Sequence, residues 1–195
     1  MSDIIHPFQI PIYQSFIDNN SFIQIKKDVL AYINSNKEEF KLDWDCPTLS
    51  NITSNTNFQS KTLYKTIQTH TENYFKSWGI RNKTLLNISD LWINISPKNS
   101  YQEVHNHLST ENKNLFSGVL HIDVFPNSGN LILLNPLISH LHHMLPSSKI
   151  DLKTSIPLKN KNIFMFPAWL DHYVGTNKNE QNRISISWNV EAKSI

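Results

Sequence analysis

Apolar residues recur at spacings of three and four along SFIQIKKDVLAYINSN, where Phe22, Ile25, Val29 and Ile33 share one helical face and Ser21 is placed to cap it. A second such stripe, Leu63, Ile67, Tyr74 and Trp78, runs through SKTLYKTIQTHTENYFKSWG, and Gly79 sits where a helix would stop. From about residue 85 the pattern changes to short alternating or apolar runs divided by turn residues. These are LWINIS (91–96), YQEVHNH (101–107), FSGVLHIDV (116–124), NLILL (130–134), NIFMF (162–166), WLDHYV (169–174) and RISISWNV (183–190). FPNSG reads as a hairpin loop and GTNKNEQN as a second polar turn. Many short strands joined by such turns predict an all-β sandwich or closed jelly roll, with the helices packed outside.

Composition agrees with one folded unit. The chain has 195 residues, 39% hydrophobic and 17% charged, so a sizeable core is available and disorder is not expected. Residues 1–195 read as a single domain, with 1–84 a helical N-terminal elaboration and 85–195 the β core. A net charge of +2, with the lysines scattered, gives no reason to expect a nucleic-acid partner. Cys46 is the lone cysteine, so no intramolecular disulfide forms, which suits a reducing compartment. The start MSDIIHPFQIPIYQSFI has no basic-then-apolar leader, and no apolar run is long enough to span a bilayer. The expectation is a soluble cytoplasmic protein, in the host's cytoplasm if the source is viral.

The chemistry gathers in three places. His105 and His107 are two residues apart, so on a strand their imidazoles project to one side, about 7 Å apart at the backbone. His172 follows on another strand, in FPAWLDHYV. Three side chains on one side of a metal leave the opposite positions open, the logic of mononuclear non-haem iron oxygenases. Arg183 is the third element. If WLDHYV and RISISWN are the arms of a hairpin across GTNKNEQN, His172 faces Arg183 and Leu170 faces Ser185. The guanidinium fork could then grip a carboxylate in the metal's cavity, with the Ser185 hydroxyl beside it. A metal plus a remote carboxylate clamp suits a five-carbon keto diacid.

The ordered set of His-x-His, SGVLHI, SGNLILLNP, FMFPAWLDHYV and RISISWN resembles the 2-oxoglutarate- and Fe(II)-dependent oxygenases of bacteria and phages, from about Trp92 to Asn189. The resemblance implies a double-stranded β-helix, with His105, His107 and His172 as iron ligands. It also implies Arg183 as the 2-oxoglutarate anchor and Ser185 as its companion on the same carboxylate. Dioxygen would be the second co-substrate, with succinate and carbon dioxide released as a small molecule or peptide is hydroxylated. This chain departs from the pattern in two places. The wider superfamily has Asp or Glu where His107 stands, and the subfamily tends to read SGVYY where Leu120 and His121 stand here.

Other readings remain open at this level. A three-histidine cupin-type dioxygenase needs no 2-oxoglutarate, and a non-catalytic metal-binding module needs no turnover; Arg183 argues against the first. HLHHM supplies a rival cluster, His140, His142 and His143, in the proline-punctuated segment 135–160, which reads as a lid or rim. Asp171 precedes His172 and points to the opposite face. Glu103 and Asp123 share the strand parity of His105 and His121, and either could orient an imidazole. Cys46 reads as a buried, inert thiol and His70 as a core-edge residue. A homodimer is left open.

Overall fold

In RISISWNV the apolar half of the alternation faces two helices and the polar half faces the interior of the barrel. The computed structural model describes residues 9–42, 46–52, 58–79, 85–108, 113–137 and 152–193. His140, His142 and His143 lie outside those residues. In chain order the elements are β1 (Tyr13–Phe16), α1 (Asn19–Ser35), β2 (Leu49–Ser50), α2 (Lys61–Ser77), β3 (Leu85–Ser96) and β4 (Gln102–His105). They continue with β5 (Asn114–Asp123), β6 (Asn130–Leu134), β7 (Lys153–Pro157), β8 (Asn162–Pro167), β9 (His172–Val174) and β10 (Arg183–Lys193). The strands form two antiparallel sheets, ordered β1-β8-β5-β10-β3-β2 and β4-β9-β6-β7. Facing each other, they make the jelly roll of a double-stranded β-helix.

Alternation divides the larger sheet into two faces. Outward go Ile93 and Ile95 of β3, Leu120 and Ile122 of β5, and Ile184, Ile186 and Trp188 of β10. Against them pack Ile25 and Val29 of α1 and Leu63, Ile67 and Tyr74 of α2. Each such side chain fully removed from water contributes about 1.5–3 kcal/mol, so the helices are integral to the sheet's stability. Inward, a smaller cluster joins Phe164 and Phe166 to Leu131, Leu133 and Leu170 and ties the two sheets together. Around Trp92 and Val119 the rest of the inner face is polar: Asn94, Ser117, His121, Arg183, Ser185 and Asn189 are buried there. Among the described residues, no helix is long and apolar enough to cross a membrane.

Two expectations need correction. The cap of α1 is Asp18, whose carboxylate accepts from the Ser21 N–H at 2.9 Å, so Ser21 lies inside the first turn as the donor. The cap of α2 is Ser60, and Gly79 follows that helix at φ +70, a conformation that favours glycine. The second correction concerns the assumed hairpin. β9 pairs with β4 and β6, whereas β10 pairs with β3 and β5 in the other sheet. The segment between them crosses from sheet to sheet. Asn177 fixes the crossing, its side-chain amide donating to the carbonyls of Ser96 and Gln181, both at 2.9 Å. His172 therefore stands opposite His105 and Leu133, and Arg183 stands opposite Ser96. In a jelly roll, consecutive strands find partners in opposite sheets, so sequence adjacency across a polar turn does not imply pairing.

Candidate active site

The pairing of β4 with β9 sets His105 directly across from His172. His107 lies two residues beyond β4's end, held by its backbone N–H to the Ala168 carbonyl at 2.8 Å. The ring centroids are 4.3 Å apart for His105 and His172, and 5.3 Å for His105 and His107. His107 and His172 are 5.1 Å apart and nearly parallel, with an interplanar angle of 6°. One ligand atom from each histidine lies within 4.8 Å of the other two.

Hydrogen bonds decide which nitrogens face inward. His105 Nδ1 is 2.7 Å from the Glu103 carbonyl and His172 Nδ1 is 2.8 Å from the Leu170 carbonyl. A carbonyl can only accept, so each Nδ1 carries the proton and each Nε2 keeps its lone pair. Trp92 stacks on His107 at 5.6 Å, and Phe166 packs edge-on against His172 at 4.6 Å. Burial holds all three imidazoles below their usual range, His107 down at about 3 with the neighbouring His105 adding to the effect. They are therefore neutral at pH 7.

The donor set fits a divalent cation. His107 Nε2 and His172 Nε2 approach to 3.3 Å, with the lone pair of His172 Nε2 turned into the cluster. Two imidazole nitrogens at about 2.1 Å from one ion, at angles of about 90–110°, would be about 3.0–3.4 Å apart.

Arg183 lies on the same cavity by a route the hairpin argument did not foresee. It is 2% exposed on the inner face of β10, two residues from Ser185, which also faces inward. Nη1 donates to the carbonyls of Ser128 and Gly175, and Nη2 donates to Ser96 Oγ at 3.0 Å. All three acceptors are neutral. Among the described residues, no carboxylate pairs with this guanidinium. Burial lowers its pKa to about 10, so it stays charged at pH 7. Nε and one Nη2 hydrogen remain, enough for one carboxylate. The three histidines, Arg183 and Ser185 line a single cavity between the sheets. Its open volume is about 30 Å³, too small for a five-carbon diacid, so a ligand reaching Arg183 must displace wall side chains.

The remaining candidates fall outside the cluster. Asp171 is exposed and accepts from Asn106 at 2.8 Å. Asp123 pairs with Lys26 of α1, because the sheet irregularity between Ile184 and Ser185 breaks its parity with His121. Glu103 orients His105 through its backbone carbonyl. Cys46 is buried, and burial raises its pKa, helped by Glu103. His70 is partly buried, 2.8 Å from the Tyr13 hydroxyl. Sequence reasoning gave no role to Trp92 or Asn189. Asn189, bonded to Ser117 and Asp90, is near enough to His107 to favour its charged form and shares the inner parity of Arg183 and Ser185, a signal that was present in RISISWN.

Comparison with known proteins places the chain. The family described as "Putative 2OG-Fe(II) oxygenase" matches residues 90–189, and the chain belongs to that family. No curated protein matches the chain in sequence. Among solved structures it is similar to a Pseudomonas putida prolyl-4-hydroxylase, with TM-score 0.62, 9% identity and 92% of each chain covered. It is also similar to a prolyl hydroxylase from Trichoplax adhaerens, solved with a hypoxia inducible factor peptide fragment. There the TM-score is 0.63 and identity 12%, over 92% of this chain and 82% of that one. A third is the viral collagen prolyl hydroxylase of Paramecium Bursaria Chlorella virus-1, solved as its 2-oxoglutarate complex. The TM-score is 0.56 and identity 16%, over 93% of this chain and 97% of that one. At these identities the likeness is one of fold. The chain is thus an Fe(II)- and 2-oxoglutarate-dependent oxygenase that uses dioxygen.

Proposed function

We propose that His105, His107 and His172 hold the Fe(II), that Arg183 and Ser185 hold the distal carboxylate of 2-oxoglutarate, and that the enzyme hydroxylates its substrate. One observation carries this reading. Three imidazoles held neutral by burial share a cavity with a buried arginine that has no acidic partner among the described residues. When bound, the iron supplies dioxygen activation, coupled to oxidative decarboxylation of 2-oxoglutarate to succinate and carbon dioxide.

The chain's own residues supply position and electrostatics. The carbonyls of Glu103 and Leu170 fix the tautomers of His105 and His172. Trp92 and Phe166 restrain the rings of His107 and His172 and keep water from that side. Three neutral ligands leave the full charge of a divalent ion uncompensated, and Arg183 adds another positive charge to the same cavity. A dianionic co-substrate is complementary to both charges, which favours 2-oxoglutarate over the three-histidine cupin alternative.

The test is succinate formation from 2-oxoglutarate under air with added Fe(II). Wild type should form succinate, and His172→Ala should form none. A wild type that binds Fe(II) yet leaves 2-oxoglutarate intact would support the cupin or binding-module reading instead.

A further inference from the structure

The cavity wall beside Arg183 carries an anomaly that the metal site does not explain. His121 of β5 is 3% exposed, and neither ring nitrogen has a hydrogen-bond partner among the described residues. Next to it is Asn162 of β8, 1% exposed, whose side-chain nitrogen and oxygen also lack partners. The pairing of Leu120 with Ile163 brings these two residues side by side one step further on. Asn162 shares the inward parity of Phe164 and Phe166. On its other side, His121 stands opposite Ser185, and Arg183 is close enough for its charge to act on the ring.

Buried polar groups are almost always satisfied. An imidazole left bare on a cavity wall therefore points to a partner that is not part of the chain. Burial and the Arg183 charge hold this ring neutral, down at about 3, so it offers one N–H and one lone pair. A cationic partner is excluded by the guanidinium beside it, and an anionic oxygen suits the donor. A carboxylate has about four lone-pair sites. Arg183 can fill two and the Ser185 hydroxyl a third. His121, its ring packed edge-on against Phe164 with its N–H unused, can supply the fourth.

We propose that His121 is a co-substrate-binding residue that donates its ring N–H to the distal carboxylate of 2-oxoglutarate, while the Asn162 amide donates to its other nitrogen and fixes the tautomer. This rests on the assignment of Arg183 to that carboxylate, so the test separates the two. 2-Oxoglutarate, and 2-oxobutyrate, which keeps the keto acid but lacks the distal carboxylate, are titrated by calorimetry into Mn(II)-loaded protein. The proteins are wild type, His121→Phe, His121→Gln and Arg183→Ala. His121→Phe should weaken 2-oxoglutarate binding by about 10- to 100-fold, the worth of one hydrogen bond to a charged group. His121→Gln, which keeps an N–H, should recover part of it, and 2-oxobutyrate should bind all the His121 proteins alike. In Zn(II)-loaded wild type, the His121 ring nitrogen signals in an NMR spectrum should shift with 2-oxoglutarate and stay put with 2-oxobutyrate. Wild-type affinity in His121→Phe, or unmoved ring signals, with Arg183→Ala weakened, overturns the role of His121 alone. Wild-type affinity in Arg183→Ala as well overturns the assignment beneath it and the inference with it.

Discussion

Replacing Arg183 separates co-substrate binding from metal binding. The guanidinium is 2% exposed and charged, and its neutral partners leave two N–H groups for a ligand. Breaking a desolvated, charge-assisted contact of this kind costs about 2–5 kcal/mol. At about 1.4 kcal/mol per decade, 2-oxoglutarate affinity should fall roughly 30-fold to several thousand-fold. Arg183→Lys should recover only part of this, because lysine keeps the charge and loses the planar fork. Arg183 also satisfies the Ser128 and Gly175 carbonyls and the Ser96 hydroxyl, and each acceptor left bare costs about 1–3 kcal/mol of stability. Denaturant unfolding of every variant is therefore the necessary control. The assay is anaerobic titration of the visible charge-transfer band that forms when 2-oxoglutarate chelates Fe(II). Similar dissociation constants for wild type, Arg183→Lys and Arg183→Ala would refute the reasoning and leave Arg183 a structural residue.

Three further outcomes follow from the same geometry. His172→Ala should abolish high-affinity Fe(II) binding in calorimetry with the circular dichroism spectrum unchanged, since His172 is the histidine that β9 contributes to the cluster. Gly129→Ala should lower stability and 2-oxoglutarate affinity while sparing iron: Gly129 sits at φ +85, and an added Cβ would lie 2.1 Å from the Gly175 oxygen that accepts from Arg183. His121, at about 3 in the fold against an ordinary 6.5, binds its proton less readily folded than unfolded. Stability should therefore fall as pH drops below about 6.5, by about 1.4 kcal/mol between pH 7.5 and 5.5 from this residue alone. Urea midpoints of wild type and His121→Phe should show a smaller loss in the variant.

Local signals carried much of the fold and the site. The 3.6-residue stripes marked α1 and α2, and alternation marked the strands that carry His105, His172 and Arg183. Parity also put Arg183 and Ser185 on one face, and that holds although the cross-strand partner assumed for Arg183 was wrong. What failed was pairing between distant segments. The polar run after Val174 reads like a hairpin turn, and only the Asn177 bonds to Ser96, Ser100 and Asn99 reveal a crossing between sheets. β7 escaped notice because its residues are mostly exposed and carry no apolar alternation. Both faces of RISISWNV are buried, the apolar one against the helices and the polar one in the cavity, so its alternation marks no solvent-exposed side. The stacking of Trp92 on His107 crosses from one sheet to the other and left no local trace.

The central claim is that three histidines bind one metal within reach of Arg183. Crystals grown with Mn(II) and 2-oxoglutarate test it most directly, through an anomalous difference map. The account predicts one strong peak in contact with the Nε2 atoms of His105, His107 and His172, with 2-oxoglutarate density running from that peak to Arg183. A peak at His140, His142 and His143, or co-substrate density that avoids Arg183, would contradict it.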